Sequence, residues 1–196
     1  TTVSSVNGDI TVTGVSTDTT GQRNSGVRFE DSVGATAFLL NTTGAGNLNV
    51  TGTAGNNDPT SFGIQFAEDA LLTLSGTSNT FIADRIEIGA SNVGINAGAN
   101  AVSVRQLTNS RSINLGGADS ATELGLTDAE LDRITAGTIN IGNSNSGLIS
   151  VTGVISPANY KTLSAQNSVA FTSTGGFDSD VASLTVFEKM LAAGAV

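Results

Sequence analysis

The chain has 196 residues and a net charge of −9, with eight Lys+Arg against seventeen Asp+Glu. So few basic residues exclude nucleic acid, whose phosphates need clustered cations, and exclude an anionic membrane surface. Cys and His are both absent, which removes disulfides, thiol catalysis, the commonest general base and the commonest transition-metal ligand.

In chain order, a glycine-opened alternation of apolar and polar residues recurs. It appears as Gly8-Asp9-Ile10-Thr11-Val12-Thr13-Gly14 and Gly26-Val27-Arg28-Phe29, then as Gly46-Asn47-Leu48-Asn49-Val50-Thr51-Gly52 and Gly63-Ile64-Gln65-Phe66. Ala70–Gly76 is a variant opened by alanine, and Ile86-Glu87-Ile88, Val102-Ser103-Val104 and Ile113-Asn114-Leu115 keep the core of the motif. Ile139-Asn140-Ile141 and Ile149-Ser150-Val151 follow, separated by the small polar corner Gly142-Asn143-Ser144-Asn145-Ser146. Val169-Ala170-Phe171 and Leu184-Thr185-Val186 close the series. Apolar residues at i and i+2 share one face of an extended strand.

The cores are unevenly spaced, as in a coil with two or three strands per turn and corners of variable length. Asn7-Gly8 is the one good hairpin dipeptide, and it opens a motif instead of joining two strands. The pattern predicts an all-β fold, a right-handed parallel β-helix. Its inward residues are Ile10, Val12, Leu48, Val50, Leu72, Leu74, Ile86, Ile88, Val102, Val104, Ile139, Ile141, Ile149 and Val151. A lone turn of about twenty residues loses roughly 1–2 kcal/mol of backbone entropy per residue. Its six to eight inward side chains return roughly 1.5–3 kcal/mol each, so stacking must supply the surplus. Some eight to ten turns would make a rod on the order of 40–50 Å long.

One element departs from the pattern. Near 127–134, Thr127 reads as a helix N-cap with Glu130 three residues later, a capping box, and Leu126, Leu131 and Ile134 face the coil. Residues 1–156 form the rungs, and 157–196 supply the last rungs or a cap of the same domain. Across and beyond that boundary Ser156–Lys161 reads as a loop and Phe187–Gly194 as a short helix ending at a glycine. No apolar run approaches the roughly 18 residues needed to span a bilayer. The start Thr-Thr-Val, without Met, reads as a processed product or an excised piece.

The stretch Leu124–Ile155, LGLTDAELDRITAGTINIGNSNSGLISVTGVI, resembles the repeats of large bacterial exported proteins of the filamentous-haemagglutinin-like and autotransporter-like kind. The shorter motifs along the rest of the chain are compatible with it. The resemblance implies a right-handed parallel β-helix at the cell surface, used for adhesion, aggregation or as a stalk. The Asn-Pro-Asn-Gly signature of the secretion domain is absent, which implies an internal or C-terminal section of such a protein.

Three acidic pairs, Glu30-Asp31, Glu68-Asp69 and Asp178/Asp180, have the composition of a general acid/base pair or a Ca²⁺ site. Their placement at corners predicts solvated carboxylates instead. A polysaccharide cleft also needs exposed aromatics, and there is one Tyr and no Trp. Gly116-Gly117-Ala118-Asp119-Ser120 has the glycines and aspartate of a calcium-binding repeat without its spacing, leaving only opportunistic Ca²⁺ at a corner. The outward residues Thr11, Arg28, Asn49, Gln65, Thr73, Glu87, Ser103, Asn114, Asn140 and Ser150 are mostly uncharged hydrogen-bonders, suited to a glycan or to another copy of the chain. No catalytic, cofactor-binding or metal-ligating residue is assigned. The expectation is a non-enzymatic, extracellular structural or adhesive module, self-associating in a fibre or coat, with a polysaccharide-active β-helix enzyme as the alternative.

Overall fold

The computed structural model describes residues 1–31, 37–156, 158–166, 171–173 and 183–186. Among them every strand pairing is parallel. The chain is a parallel β-helix. Each full turn lays down three strands, one on each of three faces.

The first turn contains β1 (Thr2–Ser5), β2 (Ile10–Val15) and β3 (Val27–Phe29). The second contains β4 (Phe38–Thr42), β5 (Leu48–Thr53) and β6 (Ile64–Phe66), and the third β7 (Ala70–Leu74), β8 (Ser78–Ile82) and β9 (Ile86–Ile88). Next come β10 (Gly94–Asn96), β11 (Ala101–Arg105) and β12 (Ser112–Leu115), then an insertion of β13 (Glu123–Leu126) and α1 (Asp128–Leu131). The stack resumes with β14 (Ile134–Gly142) and β15 (Ile149–Val151), and continues through β16 (Tyr160–Gln166), β17 (Phe171–Ser173) and β18 (Ser183–Val186). The strand β14 serves two faces at once. Its first residues pair with β10 and Thr138–Ile141 pair with β11. The bend falls at Gly137, where a Cβ would collide with the Ala99 carbonyl oxygen.

The second face is the most regular. Thr11, Asn49, Thr80, Ser103, Asn140, Ser164 and Thr185 lie in one register row across its seven strands. Those positions are 38, 31, 23, 37, 24 and 21 residues apart. The turns are thus mostly longer than the twenty residues expected. They are correspondingly fewer, because three strands and their corners consume more chain than the motifs alone suggest. Inward of that row, Val12, Val50, Phe81, Val104 and Ile141 form a continuous apolar column.

All the residues expected inside are buried except Ile10 and Val12, which are half-buried against the core. They lie in the first turn, where only one neighbouring turn covers them. Stacked rings reinforce the centre. Phe29 and Phe66 lie parallel with centroids 5.1 Å apart, and Phe81 meets Phe66 edge-on at 5.3 Å.

The short helix has its expected start. Thr127 is the N-cap, and its side chain and that of Glu130 form the reciprocal capping box. Leu126, Leu131 and Ile134 are fully buried, with Ile134 opening β14 instead of ending the helix. Tyr160 and Lys161, read as loop, open β16 instead: a parallel ladder with β14, which no periodicity in the polar YKTLSAQ announces, draws them into a strand. The helix expected at 187–194 lies outside the described residues.

Candidate functional site

The third face is where regularity breaks. Its strands form two separate sheets, β3-β6-β9 and β13-β12-β15-β17. The inserted β13 abuts β9 without continuing its ladder. Three backbone groups on the free edge of β9 are taken by charged side chains from the insertion. Asp119 Oδ2 accepts from the Ile86 N–H at 2.9 Å, and Glu130 Oε1 accepts from the Ile88 N–H at 3.2 Å. Arg133 Nη1 donates to the Ile88 carbonyl at 2.7 Å. The other oxygen of Asp119 accepts from the Gly125 N–H at 2.7 Å, tying the insertion to itself. Burial pushes the Asp119 carboxyl up to about 7, opposed by the Gly125 and Ile86 amides and by the Arg85 charge, and assisted by Glu130.

Below this seam, β3, β6 and β9 present a shallow trough. Arg28, Gln65 and Glu87 stand in register on their outward positions. Gln65 donates to Glu87, and Arg28 makes a two-pronged pair with Glu30, Nε to Oε2 and Nη2 to Oε1, both at 2.8 Å. One depression of about 350 Å³ is lined by these four together with Arg23 and Glu68. A second, of about 240 Å³, shares Arg23, Arg28, Gln65 and Glu87 and extends to Pro59, Thr60 and Phe62.

The structure thus brings Glu30 and Glu68, one from each of two acidic pairs, to a single trough, and adds Glu87. It does not bring their neighbours. The Asp31 carboxylate lies 4.0 Å from the Thr1 amino group, and Asp69 accepts from Asn92 Nδ2 at 2.7 Å. Asp178 and Asp180 lie outside the described residues. Among the described residues no group of three or more carboxylates is arranged to hold a metal ion. Asp119, in the segment with the glycines and aspartate of a calcium-binding repeat, spends both oxygens on backbone amides instead.

A third depression of about 250 Å³ opens at the corner between the second and third faces, lined by Gly52–Asn57, Asp84, Arg85 and Arg111 among others. The Arg111 guanidinium donates to the carbonyls of Asp84, Ser120, Ala121 and Glu123. Arg85 is 5% exposed, lies over the Phe62 ring at 5.1 Å, and donates to the carbonyls of Asp58 and Pro59. Neither arginine nor Asp58 stands in a recognisable sequence motif. Nothing in a motif marks an arginine whose partners are carbonyls of distant loops.

No known protein family, curated protein or solved structure matches the chain. Among the described residues no helix is long and apolar enough to cross a membrane.

Proposed function

We propose that the chain is a non-enzymatic structural or adhesive β-solenoid module of a bacterial exoprotein, of the filamentous-haemagglutinin-like or autotransporter-like kind, working outside the cell. The observation that carries this reading is the outward row of the second face. Thr11, Asn49, Thr80, Ser103 and Asn140 repeat an uncharged hydrogen-bonding group at each turn, about 4.8 Å apart. Such a surface suits repeated contact with a glycan or with a second copy of the chain. The row itself carries no charged side chain that would repel a second rod. The net charge of −9 still opposes association, so rods assemble more readily as salt or Ca²⁺ screens it. Light scattering of the 1–196 chain across salt and Ca²⁺ tests this. Assembly that strengthens with screening supports the self-associating form, and a monomer in every condition removes it. Binding of the same chain to immobilised surface glycans tests the adhesive form.

A second reading, a polysaccharide-active enzyme, draws on the trough that gathers Glu30, Glu68 and Glu87. Two of these carboxylates are already engaged, Glu30 by Arg28 and Glu87 by Gln65, which favours a static surface over proton transfer. Turnover of an acidic or neutral polysaccharide, abolished by Glu30→Gln or Glu68→Gln, would reverse the ranking.

A further inference from the structure

The corner between β5 and β6 holds an Asp-Pro bond, the peptide bond most prone to cleavage by its own side chain. Asp58 and Pro59 begin a turn in which the Ser61 N–H donates to the Asp58 carbonyl at 2.9 Å, with proline at the second position where its fixed φ fits. That same carbonyl oxygen accepts a second hydrogen bond from Nη1 of the buried Arg85, while Nη2 holds the Pro59 carbonyl at 3.0 Å. One carbonyl oxygen with two donors, one of them a cation, has the constitution of an oxyanion hole. The Asp58 carboxylate is held by Thr60, whose N–H donates to Oδ1 at 2.8 Å and whose hydroxyl donates to the same oxygen. Oδ2 is the oxygen left to attack.

We propose that Asp58–Pro59 is a self-cleavage site, at which the Asp58 carboxylate attacks its own main-chain carbonyl and Arg85 with the Ser61 amide stabilises the oxygen that becomes negative. Oδ2 bonds to the Asp58 carbonyl carbon, forming a five-membered succinic anhydride. The bond from that carbon to the Pro59 nitrogen breaks, and the nitrogen takes a proton from solvent to leave as a secondary amine. Water then opens the anhydride, so the net reaction is hydrolysis by one water molecule. Neither an oxidant nor a cofactor is needed.

Three features of the site favour the reaction. The Thr60 hydroxyl and amide hold the Asp58 carboxyl below the usual carboxylate range, so the nucleophile persists as falling pH makes protons more available to the leaving nitrogen. The Arg85 charge is fixed in place before reaction by the Phe62 ring and by burial, so no reorganisation is required. Pro59 is exposed, which admits the water that completes hydrolysis. The two products stay associated, because β5 and β6 remain in their separate ladders with β2 and β8, and with β3 and β9.

The test is incubation of the folded 1–196 chain at mildly acidic pH, followed by mass spectrometry of the denatured products, beside the same chain kept in urea. The expected result is two fragments, 1–58 and 59–196, appearing at least about tenfold faster from the folded chain than from the unfolded one, equivalent to about 1.4 kcal/mol of barrier. Asp58→Glu, which leaves the charge at a half-buried corner but lengthens the ring to be closed, abolishes the fragments. Arg85→Lys slows their appearance, with circular dichroism to establish that the variant is folded. A folded chain that stays intact, or an unfolded chain that cleaves as fast, overturns the proposal and leaves Arg85 as a clamp on the loop.

Discussion

The second and third faces of the same coil solve one problem in two ways. On the second face strand stacks on strand from β2 to β18, and the apolar column Val50-Phe81-Val104-Ile141 runs through without interruption. On the third face the ladder stops at β9, and side chains from an inserted segment satisfy its edge. A strand supplies neutral amides and carbonyls in register at no electrostatic cost. Asp119, Glu130 and Arg133 supply the same hydrogen bonds only by bringing ionisable groups to the seam, and burying their charge is expensive enough that Asp119 holds its proton up to about pH 7. The seam is therefore the place where stability depends on pH, and the second face is the place where it depends on volume.

The largest effect expected from this contrast is in the column. Phe81→Ala removes a ring that is 1% exposed and packed edge-on to Phe66. Loss of about 3–5 kcal/mol is expected for such a truncation, measured as a fall in urea midpoint. A loss below about 1 kcal/mol would mean that the column repacks freely and the second face is not the rigid part.

The next effect belongs to the seam and has a definite sign. The Asp119 carboxyl titrates at about 7 when folded and 3.8 is its ordinary value, so the folded state binds the extra proton. Its contribution to stability is fully present below about pH 4 and is lost as pH rises through 7. A shift of this size corresponds to a few kcal/mol at most, on the order of 1.4 per unit. The measurement is the difference in unfolding free energy between the wild-type chain and Asp119→Asn from pH 5 to 8. The wild-type advantage is expected to shrink across that range. A difference that grows with pH would show that the amide hydrogen bonds, not burial, govern this carboxyl.

What could be read in advance follows the same division. The second face announces itself because Leu48, Val50, Val102, Val104, Ile139 and Ile141 all alternate with polar residues, and alternation is a local property. Strand β8 does not announce itself, since its inward Asn79 breaks the apolar pattern. That side chain is fully buried and accepts from the Leu48 N–H at 3.0 Å, a partner 31 residues away that no local pattern reveals. The capping box of α1 was legible because all its parts lie within four residues. The seam was not, since Asp119 acts on Ile86 and Glu130 on Ile88, across 33 and 42 residues. Glu30 and Glu68 were visible as acidic pairs, yet only coiling places them with Glu87 in one trough.

A smaller effect tests whether the insertion holds the seam as a unit. In Thr127→Ala the N-cap loses its bond to the Glu130 amide, and the Glu130 carboxylate loses the Thr127 hydroxyl that accompanies its bond to the Ile88 edge. Loss of about 1 kcal/mol is expected from the cap alone. If the insertion is one unit, amide hydrogen exchange at Ile88 speeds up in this variant while that at Val104, on the second face, does not. Equal acceleration at both would mean that the two faces open together.

The smallest effect is expected in the trough, and its smallness carries the point. Arg28 and Glu30 form a two-pronged pair on the outward side of β3, but both side chains are about a third exposed or more. Solvent screens such a pair, and each long side chain gives up rotamer freedom to hold it. A double-mutant cycle with Arg28→Ala and Glu30→Ala is expected to give a coupling of about 0.2–1 kcal/mol, weaker still at high salt. The two residues then serve the surface and not the fold, which makes them suitable probes of what the trough binds. Substituting them should alter polysaccharide binding at the trough, and not glycan binding along the second face, while leaving the urea midpoint nearly unchanged. A coupling of several kcal/mol would place the pair among the structural supports of the third face, and the contrast between the faces would have to include the outer surface of β3 as well as the seam above β9.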